Sequence, residues 1–289
     1  MRTVLGEVDV SEAGYVDAHE HLVAIPELAD PDLLLDRPAA VRQDIAAFIA
    51  GGGRTIVEMT TVDYGRDLPA VKGLAAETGV HVVAATGFNK YRRDFGESAP
   101  QLAADQIRDV LEHGCGVVKF ATSLDTIEPW EQTALEAAAL THHETGCPIF
   151  THTEAGTMAE EQLYRLERLG VAPGAVVLGH LDRNGDLETH LRLADRGAFI
   201  SYDQLPKPKY AAERARAIEH IAALAERGLD ERVVVGGDLA RRSYFTGWGG
   251  GPGLGYLVET FRRDLVAAVG ERVAENVLRH NPARALSVQ

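Results

Sequence analysis

The stretch Val16-Asp17-Ala18-His19-Glu20-His21-Leu22 reads as a core strand that finishes in two histidines. Successive side chains of a strand point to opposite faces, so His19 and His21 share one face and can grip one ion. Imidazole suits divalent zinc, manganese or iron. Alone, a His-x-His pair is more often surface or core histidine. The rest of the chain gives the pair its meaning, because further apolar strands also end in polar residues.

Outward from this strand, short apolar runs alternate with helical patterns. Candidate strands cover residues 15–18, 55–59, 80–85, 116–121, 148–152, 175–181, 198–202 and 232–236. Between them Ala103, Ile107, Val110 and Leu111 recur at helical spacing, as do Leu163, Leu166 and Leu169, and Ile218, Ile221 and Leu224. Gly79, Gly114, Gly146, Gly170, Gly197 and Gly228 close helices, and 51–53 is a glycine run with the same role. Eight strand–helix units, with strands apolar on both faces, predict an α/β fold of the (β/α)8 TIM-barrel type. Residues 1–15 form a short N-terminal strand and turn before it. An open doubly wound sheet is the alternative, but no Gly-rich dinucleotide fingerprint follows the first strand. No linker or repeat interrupts residues 1–289, so a single barrel domain is expected.

Composition narrows the function. With 29 Lys+Arg against 43 Asp+Glu the formal charge is −14, which argues against nucleic acid or an anionic membrane as partner. The two cysteines, Cys115 and Cys147, make no disulfide framework. There is no signal core and no run of about 18 apolar residues. A cytoplasmic protein acting on a small molecule is expected, with a homodimer left open.

In a barrel, chemistry belongs at the carboxyl ends of the strands. Strand one ends in His19 and His21, strand five in Thr151-His152-Thr153-Glu154, and strand six in Gly179-His180-Leu181-Asp182. Strand eight runs into Gly236-Gly237-Asp238. Each has a plain alternative: a hydrogen-bonded core histidine, or an aspartate capping the next helix. Lys119, inside Val117-Val118-Lys119-Phe120, is harder to dismiss, because a buried ammonium is costly unless paired or deprotonated. A neutral amine can take up carbon dioxide to give a carbamate, which can bridge two cations. His19, His21 and Asp238 would then hold one metal, His152 and His180 the other, with Lys119 between them. A water bridging such a pair becomes a nucleophile near neutral pH.

The segments Asp17-Ala18-His19-Glu20-His21-Leu22, Val118-Lys119-Phe120-Ala121-Thr122, Thr151-His152-Thr153-Glu154-Ala155-Gly156, Gly179-His180-Leu181-Asp182-Arg183 and Gly237-Asp238-Leu239-Ala240-Arg241-Arg242-Ser243-Tyr244 resemble the phosphotriesterase family of the amidohydrolase superfamily. The similarity runs over nearly the whole chain. It implies a metal-dependent hydrolase with a binuclear centre, expected to hold Zn2+ with Mn2+ or Co2+ as alternatives. Lys119 would be N6-carboxylated. It also implies His19, His21, Lys119, His152, His180 and Asp238 as metal ligands, and Asp238 and Lys119 as catalytic groups.

The loops resemble the branch that opens phosphorylated sugar lactones. Leu205-Pro206-Lys207-Pro208-Lys209-Tyr210 and the stretch from Arg241 to Tyr244 put cations and a tyrosine beside the barrel mouth. The resemblance implies that Lys207 or Lys209, Arg241 and Tyr244 hold the phosphate. Leu205-Pro206 departs from the smaller polar residue expected there, which bears on the pose of Lys207 more than on that of Lys209. Arg241 discriminates less than the lysine pair, since an arginine at this place also occurs in the phosphotriesterase-homology branch. The alternatives are an organophosphate phosphotriesterase or an acyl-homoserine lactonase, which want an apolar pocket, and a non-catalytic barrel scaffold. Trp130, Trp248, Asn89, Lys90 and Tyr91 are further residues able to shape the pocket.

Overall fold

The computed structural model describes residues 1–90, 94 and 96–287, so Tyr91 lies outside the described residues. A short antiparallel ribbon, β1 (Arg2–Thr3) with β2 (Gly6–Glu7), comes first. Then follow β3 (Tyr15–Glu20), β4 (Gly53–Glu58), β5 (His81–Gly87), β6 (Cys115–Thr122), β7 (Ile149–Thr153), β8 (Val176–Leu178), β9 (Phe199–Tyr202) and β10 (Val233–Val235). These eight are parallel and pair in sequence order. The seam between first and last strands is joined where the Gly237 and Asp238 N–H groups donate to the His19 carbonyl, at 3.2 and 2.7 Å. It is a TIM barrel.

Each strand leads to a helix: α1 (Pro38–Ala50), α2 (Leu68–Thr78), α3 (Ala99–His113), α4 (Pro129–Thr145), α5 (Ala159–Arg168), α6 (Leu187–Asp195), α7 (Ala211–Glu226) and α8 (Arg262–Glu275), with α9 (Asn281–Ala285) last. Their ends follow local chemistry. Ser98 and Gln101 cap α3 reciprocally, and Gly114 closes it at φ 79°. Among the described residues no helix is long and apolar enough to cross a membrane.

Two apolar layers explain the parallel sheet. Val57, Val83, Val117, Phe150, Val177, Phe199 and Val234 fill the barrel, while Ile56, Val82, Val118, Ile149, Val176, Ile200 and Val233 pack outward under the helices. This is the strand period of two, with both faces buried. It also sets up the site. Two residues on from Val117, Phe150 and Phe199, in the carboxyl-terminal direction, the inward positions are Lys119, His152 and Ser201, followed by Asp203. The uppermost layer of the barrel interior is therefore polar.

The sixth barrel strand is shorter than the expected 175–181. A Cβ on Gly179 would sit 2.2 Å from the Thr151 carbonyl oxygen, so the chain lies flush there. His180 then adopts φ 60°, a left-handed conformation that ends the strand and turns its imidazole over the barrel.

Candidate metal centre and active site

His19, His21, Lys119, His152, His180 and Asp238 line one pocket of 170 Å³ at the carboxyl end of the barrel. A register irregularity in β3 between Asp17 and Glu20 takes in His19. Asp238, at φ 47°, is a second strained residue in the same place. Its approach depends on Gly237, where a Cβ would collide with Glu20 Oε1 at 1.9 Å.

The donor set fits a cation. One nitrogen or oxygen from each of His19, His21 and Asp238 lies within 4.8 Å of the others. His19 Nε2 and His21 Nε2 stand 3.6 and 3.3 Å from Asp238 Oδ1. His19 Nε2 is buried and has no hydrogen-bond partner among the described residues. Beside this set, His180 Nε2 faces His152 Nδ1 at 2.8 Å. Burial lowers His21 and His152 to about 3, so both are neutral and able to ligate at physiological pH. Lys119 is 1% exposed, and its Nζ donates to the Met59 carbonyl at 3.3 Å. Burial depresses its pKa, against the opposing pull of Asp238 and Asp203. The neutral amine, which burial favours, is the form that reacts with carbon dioxide.

Asp203 was not expected from the sequence, and it orders the centre. Its Oδ2 accepts from His19 Nδ1 at 3.1 Å, and its Oδ1 from His180 Nδ1 at 2.6 Å. The Ser201 hydroxyl donates to the same carboxylate at 2.9 Å. Occupying both Nδ1 atoms fixes the tautomers and leaves each Nε2 toward the pocket. Burial would raise Asp203, but His180 and His19 hold it far below the usual carboxylate range. Its signal was present in the sequence, since it continues the inward face Phe199, Ser201, Asp203. Asp203→Asn, which cannot accept from two imidazoles and stay charged, should weaken metal affinity about 10- to 100-fold. A chelator titration followed by metal analysis measures this, and wild-type affinity would remove the orienting role.

Three further buried acids brace the centre from below, and they too were missed. Asp17 accepts the N–H groups of His19 and Gly237 at 3.2 and 3.1 Å. Glu20 accepts those of His21 and Leu239, and Glu58 those of Leu22 and Thr60. Burial pushes Asp17 and Glu58 up to about 7.

The expected substrate contacts divide. Lys207 lines the pocket, 6% exposed, with Nζ bonded to Asp238 Oδ2. Burial opposes its charge, but Asp238 raises its pKa. For Asp238 burial again opposes charge, and Lys207 and His21 hold its pKa well below the usual range. Tyr244 stands with its ring centre 5.9 Å from Lys207 Nζ. Lys209 is exposed, its Nζ 4.7 Å from the centre of the Tyr210 ring. Arg241 points away to Asp30 and Asp32, at 2.7 and 3.4 Å. Lys209, Arg241 and Tyr244 are not among the pocket's lining residues. The reason is charge: two carboxylates on the loop after β3 capture Arg241, and Ser243 fastens to Asp32 as well. Asn89 and Lys90 do line the pocket, whereas Trp130 and Trp248 pack against the core.

The barrel with its inward histidines and strand-four lysine is the frame of a hydrolase, and the comparisons with known proteins agree. The Phosphotriesterase family matches residues 1–286, and the chain belongs to that family. A phospho-furanose lactonase of Mycoplasmopsis synoviae is 29% identical over 99% of this chain and 91% of its own length. The structure of a lactonase from Listeria monocytogenes superposes with a TM-score of 0.95 at 33% identity, covering 100% of this chain and 99% of that one. The phosphotriesterase homology protein of Escherichia coli, with phosphate in its active site, superposes at 0.91 and 32% identity, over 96% and 99%.

Proposed function

We propose that the enzyme opens a small phosphorylated sugar lactone over two divalent metal ions. The observation that carries this reading is a single pocket joining six metal donors to cationic side chains. The relatives favour it too, since one is a phospho-furanose lactonase and another holds phosphate in its active site. His19, His21 and Asp238 would hold one ion and His152 and His180 the other, with Lys119 carboxylated and shared between them. When bound, the ions supply a Lewis acid for the lactone carbonyl and a water acidic enough to attack at neutral pH.

The chain's own groups do the rest. Asp238, kept ionised by Lys207, would accept the proton of the attacking water and pass it toward the leaving ring oxygen. Asp203 would hold two imidazoles in place throughout. Of the expected phosphate contacts Lys207 lines the pocket, and the Tyr244 ring stands behind it. Lys209 flanks it, and Arg241 would have to exchange Asp30 and Asp32 for substrate. A phosphotriesterase or acyl-homoserine lactonase would want an apolar wall, whereas this wall carries Lys90, Glu154, Arg183 and Lys207.

The test is hydrolysis of paired lactones, with and without a terminal phosphate, by zinc-loaded protein of known metal content. About two ions per chain and at least tenfold preference for the phosphorylated partner are expected. A stable content of one ion, with Lys119 an unmodified amine, would sink the binuclear centre. Faster turnover of a neutral organophosphate triester would sink the substrate class.

A further inference from the structure

Among the described residues, four cationic side chains line the pocket: Lys90, Lys119, Arg183 and Lys207. Lys90 is matched by Glu154 at 2.6 Å, and Lys207 by Asp238. Lys119 lies on the barrel's inward face, and burial disfavours its charge. Arg183 differs from all three. Among the described residues no carboxylate lies within ion-pair distance of it, and none of the residues outside them has an acidic side chain. In a chain of formal charge −14 an unmatched guanidinium facing a reaction pocket is a placed charge.

Its plane is already set. One of its terminal nitrogens donates to the Tyr210 hydroxyl at 2.5 Å, and its central carbon lies 4.1 Å from the centre of the Tyr210 ring. Lys209 approaches the same ring at 4.7 Å. Two cations therefore share one aromatic platform at the mouth, an arrangement that an arriving dianion relieves. A guanidinium keeps five N–H donors in a fixed fork that matches phosphate oxygens two at a time. Pre-stacking lowers the entropy lost when it docks a ligand. A second observation points to a ligand on this wall. Gln204, 8% exposed, lines the same pocket, and its Oε1 has no hydrogen-bond partner among the described residues.

We propose that Arg183, stacked on Tyr210, reads the phosphate monoester end of the substrate, with Lys209 as the second charge. This rests on the lactonase reading above. It assigns the anion to the loops after β8 and β9, opposite in character to Arg241, whose guanidinium is engaged by Asp30 and Asp32. A phosphate monoester carries about −1.5 to −2 at neutral pH, which two cations match better than a carboxylate's single charge would.

The test compares wild type, Arg183→Gln and Arg183→Lys on the same lactone pair. In Arg183→Gln the ratio of kcat/KM for phosphorylated over neutral lactone should fall about ten- to hundredfold. Arg183→Lys should recover part of it, through charge without the fork. A second arm uses no lactone: glycerol phosphate and glycerol are titrated onto metal-loaded protein. Arg183→Gln should weaken glycerol phosphate binding at least about tenfold relative to wild type. Wild-type discrimination that survives in Arg183→Gln overturns the assignment and leaves the substrate class standing. Absence of wild-type discrimination removes the substrate class instead, and glycerol phosphate binding then decides Arg183 alone. Equal losses on both lactones, with unchanged glycerol phosphate affinity, mean that Arg183 only props the Tyr210 loop, and overturn the proposal.

Discussion

Lys119→Met should lose metal-dependent hydrolysis by at least about a thousandfold while the barrel stays folded. The side chain sits on the inward face two residues past Val117, directly above the apolar groups that fill the barrel. Methionine has nearly its length and keeps the apolar bulk, so packing changes little. What disappears is the one group there that can become an anionic bridge. Without metal, the substitution removes a buried amine that burial already disfavours, so the metal-free variant should melt no lower than metal-free wild type. Activity and metal content together with melting temperature give the reading. Full activity in Lys119→Met would make the lysine a structural residue.

Asp238→Asn has the second large effect, and here stability moves as well. The amide keeps the shape but neither the base nor the charge, and loss of a positioned acid–base group alone costs about 10²–10⁴ in rate. It also strands Lys207, which is 6% exposed and bonded to that carboxylate. Removing one member of a buried pair costs about 3–5 kcal/mol. Adding Lys207→Met to Asp238→Asn should restore much of that stability and none of the activity. If the double variant regains turnover, Asp238 serves only to neutralise the lysine.

That His19, His21, Lys119, His152, His180 and Asp238 meet in one pocket could be read from the sequence, because barrel geometry and strand period say where a strand's last inward side chains must go. Lys119 stood out as a charge in an apolar run. Asp17, Glu20 and Glu58 stand in apolar strands too, and the same argument would have found them. A carboxylate near a strand end is also what a helix cap or a surface group looks like in sequence. Histidine by itself is no guide: His190 of α6 and His220 of α7 are buried, yet they pack with Tyr202 and lie outside the pocket's lining. The loop residues were hardest. Whether Lys207 or Lys209 faces inward depends on which lysine finds a partner in Asp238, and Arg241 is decided by Asp30 and Asp32, more than two hundred residues away. Contacts between distant loops leave no periodic mark in either stretch.

The bonds across the barrel seam set the order in which this enzyme can become active. Leu239 and Glu20, joined at 2.8 Å, are 219 residues apart in the chain, and so are Asp238 and His19. Contacts of such sequence separation come late in folding, since the loop between them must be ordered first. On a ribosome, His19 and His21 emerge early and wait for nearly the whole barrel before their third partner arrives. A nascent chain stopped short of Gly236 has His19 and His21 without Asp238, no seam, and an open edge of sheet in place of a closed chamber.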